Sequence, residues 1–187
     1  MTFFYPQGHE SDGLIHKESY FRPMSKLIAI GGVSRSGKSS LALKLLAALP
    51  DSIVLHQDDF VKSGDQIPQI NGRTDWEHPD SIDWSLWKES TDKALAKHNH
   101  IIIEGLFVFY DASINSQIHR AIYLSIDQAT FLERRRKETR WGHEPDWFIE
   151  HVWKAHWQYG LAPEELKALK IYQPSDQEIK AIIMTLD

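Results

Sequence analysis

Downstream of Lys26, apolar residues fall into short dense runs separated by longer stretches with helical spacing. Leu27 to Gly31, Ile53 to His56, Ile101 to Ile103 and Ala121 to Ile126 are short aliphatic runs bounded by glycine, acidic or polar residues, which reads as buried strands. Lys38 to Leu49 carries Leu41, Leu45, Leu46 and Leu49 on one side and stops at Pro50, which cannot continue a helix. Ser81 to Lys97 reads as a second helix, ending at His98 and Asn99. Asp127 is a good N-cap for a basic helix over Ala129 to Glu138. Helical spacing returns over Asp146 to Tyr159 and Pro163 to Leu169. Lys170 to Tyr172 is a candidate last strand, and Ser175 with Glu178 forms a capping box for a final helix. The stretch Lys62 to Trp76, with Gly64, Pro68 and Gly72, reads as a polar loop. Strands alternating with helices predict an α/β fold, a mainly parallel sheet flanked by helices in three layers, as one domain over residues 25–187. Residues 1–24 read as an extension, a mobile arm or a stretch preceding Met24 as the true start, and no function is assigned to them.

Composition narrows the function classes. The 187 residues hold 21 basic and 26 acidic side chains, a net charge of -5, so binding to nucleic acid would need a local basic patch. The absence of cysteine excludes disulfide scaffolds, thiolate zinc sites and cysteine nucleophiles, and fits a reducing, cytoplasmic setting. No apolar run approaches the roughly 18 to 20 residues of a membrane helix, and residues 1–6 lack the features of a secretory signal. Neither an NKxD nor a DxxG string occurs, which argues against a GTPase-type regulatory switch. No HExxH occurs, and His151 and His156 diverge by about 140° on a helix, which argues against a zinc enzyme.

Gly32, Val33, Ser34, Arg35, Ser36, Gly37, Lys38 and Ser39 spell GxxxxGKS between a strand and a helix, with Ser40 following. In that context the glycines let backbone N–H groups curl around a β-phosphate, Lys38 neutralises β and γ oxygens, and Ser39 reaches Mg²⁺. The motif alone calls for a nucleotide phosphate with Mg²⁺ and no more.

Three acidic positions remain to define an acceptor. Asp58, after the second strand, could orient or deprotonate a hydroxyl; turn and N-cap chemistry is the lesser alternative for an Asp58–Asp59 pair. Glu104, at the tip of a buried strand, needs a cation or donor to offset its burial and is the second candidate metal residue. Glu77 and Asp80 lie in Asp75-Trp76-Glu77-His78-Pro79-Asp80; Glu77 suits a vicinal diol, and Asp80 a helix cap. The run Arg134, Arg135, Arg136, Lys137 and Arg140 suits a phosphate-gripping lid around residues 134–147, or a solvated helix face. Arg136 and Arg140 share one side while Arg135 points elsewhere.

In order along residues 26 to about 160, GVSRSGKSS, HQDDF, DWEHPDSIDW, IIIEG, ERRRKETR and EPDWFIEHVW resemble the nicotinamide riboside kinase and uridine kinase branch of P-loop kinases. The resemblance implies a P-loop kinase fold with a helical lid and transfer of the ATP γ-phosphate to a nucleoside 5′-hydroxyl. It matches Asp58 to the catalytic aspartate beside Lys38 and Glu104. Glu77 stands for the aspartate that holds the ribose diol, Trp76 for a frequent tyrosine, and Asp146 for a lid-side acid near the base, with Arg134 also on the substrate side. Arg136 and Arg140 join the loop residues around ATP. A cationic nicotinamide ring would suit Asp146, Trp76 and Trp147 through charge pairing and cation–π attraction; core packing is the other use of these tryptophans. The 17 or so residues between Asp83 and Ile101 leave no room for the hairpin that helps uridine kinases enclose a pyrimidine. Partners are a nucleoside and ATP, no nucleic acid and no membrane, for a monomer or homodimer.

Overall fold

A computed structural model describes residues 24–138 and 142–186. The expected extension, apart from Met24, and the expected ATP-side residue Arg140 lie outside those residues. The elements run β1 (Lys26–Gly32), α1 (Lys38–Ala48), β2 (Ser52–His56), β3 (Gln69–Ile70), β4 (Arg73–Thr74), α2 (Trp84–Leu95), β5 (His100–Glu104), α3 (Ala112–Asn115), β6 (Ile118–Ser125), α4 (Gln128–Arg136), α5 (Asp146–Tyr159), β7 (Leu169–Tyr172) and α6 (Asp176–Met184).

Five strands form one sheet in the order β2-β5-β1-β6-β7, and every pairing in it is parallel. Parallel strands need covered faces, and the alternation along each strand supplies both. Leu27, Ala29, Ile101, Ile103, Ala121 and Tyr123 face one layer, which holds Trp87 of α2 and Phe107 and Phe109 after β5. Ile28, Ile30, Ile102, Ile122 and Leu124 face the other, against Leu41 and Leu45 of α1 and Ile179 and Ile182 of α6. The result is the expected three-layer α/β architecture. A third cluster, with Val33, Ile126, Phe131, Phe148, Ile149 and Val152, joins α4 and α5 to the loop after β1. No helix of the described residues is long and apolar enough to cross a membrane.

Several local expectations are corrected. The second helix begins at Trp84 rather than Ser81, and its cap is Asp83, whose Oδ1 accepts from Leu86 N at 3.0 Å, rather than Asp80. Pro79–Ser81 forms its own 3₁₀ turn, capped by His78, while Ile82 is held in a bridge to Val61. Pro163 to Leu169 yields only a 3₁₀ turn at Glu164–Leu166, because the chain turns left-handed at Lys167 (φ 46°) and pairs with β6 from Leu169. Leu46 is exposed and Ala42 packs inward in its place.

The stretch read as a polar loop contains a hairpin: β3 and β4 pair antiparallel around Asn71 and Gly72, both at positive φ (48° and 75°). Asn-Gly is the strongest short-range hairpin signal, because both central positions of such a turn require positive φ. The hairpin leans toward α5, with Ile70 on the third cluster and the Arg73 guanidinium 5.2 Å from the Phe148 ring centroid. Helix α2 fills the interval between Asp83 and Ile101, so the structure has a hairpin, placed earlier in the chain than that interval.

Candidate active site

At the carboxyl ends of β1, β2 and β5 the chain turns out of the sheet three times, which is where an open parallel sheet presents a ligand crevice. The turn after β1 carries the glycine-rich loop. Gly32 has φ 141°, and a Cβ there would lie 2.2 Å from the Leu124 carbonyl oxygen, so only glycine fits. Gly37, at φ 100°, opens α1 in a left-handed conformation. Arg35 is also left-handed (φ 67°), a conformation that costs a non-glycine residue about 1–2 kcal/mol and clusters at functional sites. Its carbonyl accepts from Arg134 Nη1 at 2.9 Å, and its guanidinium pairs with Glu138.

Inside this loop Lys38 is buried, and its ammonium donates to the Val33 carbonyl at 3.2 Å. The buried Ser36 hydroxyl finds no partner among the described residues. Burial pulls the Lys38 pKa down, while Glu104, Asp58 and Glu77, in that order, push it back up. Three acids from three segments thus converge electrostatically on one lysine.

Glu104 ends β5 opposite His56 of β2 in register. Its Oε1 accepts from Ser39 Oγ at 2.8 Å and His56 Nδ1 at 2.7 Å, so a hydroxyl and an imidazole bracket the buried carboxylate. Asp58 lies in the 3₁₀ turn Gln57–Phe60, anchored where Gln57 Oε1 accepts from Phe107 N at 2.7 Å. Asp58 is exposed at the cleft mouth, yet the protein around it takes away enough water to raise its carboxyl pKa; Lys38 opposes the rise and Glu104 adds to it.

Glu77 is buried, and its pKa is pushed up to about 7 by loss of water, against the pull of Arg135 and with the help of Asp75. Asp75 Oδ1 accepts from the Glu77 backbone N at 3.1 Å and from His151 Nε2 at 2.8 Å, tying the Glu77 turn to α5. Ser34, Ser39 and Glu77 ring the cleft, whereas Trp76 is exposed beside it.

The arginines divide differently from the sequence expectation. Arg134, half-buried, is engaged with the Arg35 carbonyl of the glycine-rich loop, and Arg136 pairs with Asp146 at 3.1 Å in an exposed ion pair. Arg135, expected to point elsewhere, is the one that enters the cleft. It forks onto Glu144 (Nε 2.6 Å, Nη2 2.8 Å), donates through Nη1 to Ser34 Oγ at 2.9 Å, and lies 3.6 Å from Glu77 Oε1. Arg135, Glu144, Asp75, His56 and His151 thus join the site although no motif in the sequence marks them for it. A run of three arginines on a helix offers three directions, and only the tertiary docking of α4 selects among them.

A hydroxyl and a carboxylate at 2.8 Å form a hard-oxygen pair suited to Mg²⁺, and among the described residues no three His, Cys, Asp or Glu side chains converge to cage a metal. The donors present fit an ion that takes its remaining ligands from phosphate and water.

No protein-family model matches the chain. It is 28% identical over 162 residues to nicotinamide riboside kinase 2 of Mus musculus, covering 76% of this chain and 83% of that one. It is 29% identical over 187 residues to nicotinamide riboside kinase 1 of Homo sapiens, covering 82% and 93%. Uridine kinase of Borreliella burgdorferi is 26% identical over 141 residues, covering 62% of this chain and 68% of that protein. Among solved structures, a gluconokinase from Sinorhizobium meliloti superposes with a TM-score of 0.55 at 15% identity, over 88% of this chain and 95% of that one. A possible uridine kinase from Bacillus stearothermophilus superposes with a TM-score of 0.55 at 19% identity, over 80% and 89%. The fold is that of the P-loop kinases, and the sequence relatives are nicotinamide riboside kinases and uridine kinases.

Proposed function

We propose that the protein transfers the γ-phosphate of ATP to the 5′-hydroxyl of a ribonucleoside, and that its preferred acceptor is nicotinamide riboside, which becomes nicotinamide mononucleotide. The observation that carries this reading is a glycine-rich loop that buries Lys38 beside the Ser39–Glu104 pair at 2.8 Å, with Asp58 and Glu77 near enough to act on the same ammonium. Gly32 to Ser40 would hold the phosphates, with the Ser36 hydroxyl and the backbone N–H groups as donors. Lys38 offsets charge on the β and γ oxygens. Ser39 and Glu104 would hold Mg²⁺, which when bound withdraws charge from the β- and γ-phosphates.

Asp58 takes the proton of the 5′-hydroxyl as its oxygen bonds to the γ-phosphorus and the bond to the β,γ-bridging oxygen breaks, releasing ADP. A carboxyl with a raised pKa is a stronger base than a free aspartate, which suits that step. Glu77 accepts both hydroxyls of the 2′,3′-diol. Trp76, Trp147 and Asp146 offer aromatic faces and negative charge to a cationic ring. Arg136 would have to exchange Asp146 for phosphate to serve ATP.

Uridine or cytidine is the second acceptor, favoured by the hairpin Gln69–Thr74 beside the Glu77 turn and by the uridine kinases among the relatives. ADP release coupled to a panel of nucleosides tests both. Nicotinamide riboside should give the largest kcat/KM; a panel in which no nucleoside accelerates ADP formation contradicts the kinase reading. The cysteine-free composition fits a reducing, cytoplasmic setting.

A further inference from the structure

The guanidinium of Arg135 touches both halves of the cleft at once. Its Nη1 donates to Ser34 of the glycine-rich loop, and its Nη2 faces Glu77, the diol acid, while both Nε and Nη2 are forked onto Glu144. The group is almost fully buried, at 10% exposed, as are its acids at 8% and 11%. A planar fork of this kind holds direction as well as charge. Two acids thus share one cation, and the same cation rests on the loop expected to hold phosphate.

We propose that Arg135, braced by Glu144, couples the two substrate subsites, so that occupancy of either one strengthens binding at the other. The inference rests on the nucleoside kinase reading. A diol on Glu77 supplies that carboxylate with two hydroxyl donors and relieves Arg135 of it, leaving more of the guanidinium for an anion at Ser34. A triphosphate at Ser34 draws the guanidinium the other way and frees Glu77 for the diol. Glu144 keeps the exchange a small reorientation rather than a departure of the side chain. Glu77 does not drift when Arg135 turns, because the Asp75–His151 pair holds its turn independently. Glu144 is accordingly a positioning residue, acting through Arg135. The Arg134 and Arg136 side chains are committed elsewhere, to the Arg35 carbonyl and to Asp146, and do not duplicate this contact.

Coupling free energies between sites are reciprocal and commonly correspond to factors of about 5 to 150. The test is calorimetric titration of the full chain with a non-hydrolysable ATP analogue and Mg²⁺, with and without saturating nicotinamide riboside or uridine, and the reverse titration. The wild type should bind each ligand at least about fivefold more tightly in the presence of the other, by the same factor in both directions. Arg135→Gln should bring that factor to about 1. Arg135→Lys should restore part of the analogue affinity through its charge, while the factor stays near 1 because an ammonium has no fork. Glu144→Gln should reduce the factor. A merely structural loss would weaken each ligand alone and leave the factor unchanged. A factor unchanged in Arg135→Gln, with thermal melting showing a folded protein, overturns the coupling alone. A wild type that binds the analogue and neither nucleoside overturns the coupling together with the kinase reading.

Discussion

On the sheet side of the cleft, Lys38, Ser39, Asp58 and Glu104 follow or end strands of one parallel sheet, of which β1 and β5 are hydrogen-bonded on both sides and β2, at the edge, on one. On the lid side, Glu77, Arg135, Glu144, Asp75 and His151 sit on turns and helix faces held to one another chiefly by ion pairs. The sheet side is rigid because the backbones of β1 and β5 are paired on both sides and that of β2 is paired in register with β5. On the proposed reading, the lid side would exchange one charged partner for another, which closing over and releasing a substrate requires. A phosphate cradle benefits from the first property and a nucleoside grip from the second.

Substitutions sharpen the contrast. On the rigid side, Asp58→Asn should lower kcat by about 10³-fold, within the range of a lost general base, while ATP affinity stays nearly constant in a binding titration. A variant that turns over like the wild type would remove Asp58 from the chemistry.

On the lid side, Glu77→Gln should separate stability from function. The Glu77 pKa lies near 7 when folded, against 4.5 for the ordinary side chain. Between those values the folded state holds more of the Glu77 proton than the unfolded state, so this group subtracts stability as pH rises from about 4.5 through 7. Glu77→Gln should match the wild type near pH 4.5 and exceed it above pH 7, by up to about 3 kcal/mol, while its KM for nucleoside rises. Denaturant unfolding across that window checks it; equal stability at all pH values would contradict the buried acid. His156 slopes the other way. Burial, hydrogen bonding to Tyr123 OH at 2.6 Å aside, lowers its pKa to about 4, so its contribution is whole above about 6.5 and fades as pH falls toward 4.

His151→Phe removes one donor from Asp75 and leaves that buried acid less satisfied, which should raise the nucleoside KM by about fivefold, roughly 1 kcal/mol, with kcat less affected. Arg136→Ala, breaking an exposed pair with Asp146, should change stability by less than about 0.5 kcal/mol in a melting comparison. If the last two effects were reversed in size, the lid would be held at its surface rather than through Asp75.

The same contrast explains what could be read from the chain. GxxxxGKS is contiguous, and its meaning depends on one strand before it and one helix after it, both plainly periodic; four of the five parallel strands follow from aliphatic runs, while the fifth, Leu169–Tyr172, has no such run and was only a candidate over Lys170 to Tyr172. The Gln69–Thr74 hairpin was also legible through Asn71-Gly72, but two-residue strands are too short to display alternation, and surrounding glycine and proline masked it. Arg135 and Glu144 were not legible. Their pairing depends on how α4 and α5 meet across the third apolar cluster, and neither residue type nor spacing announces which of three adjacent arginines turns inward. Glu77 stood between the two cases: its fitness for a diol followed from the carboxylate and from the family resemblance, while its burial came only from the packing of the Asp75–Ser81 turn.

The most direct test of phosphoryl transfer at this cleft is phosphorus NMR of a reaction holding the protein, ATP, magnesium and nicotinamide riboside. A new 5′-phosphomonoester resonance should grow in step with ADP and be absent without the nucleoside. Inorganic phosphate appearing with ADP at a rate indifferent to nucleoside, with no phosphomonoester, would contradict it.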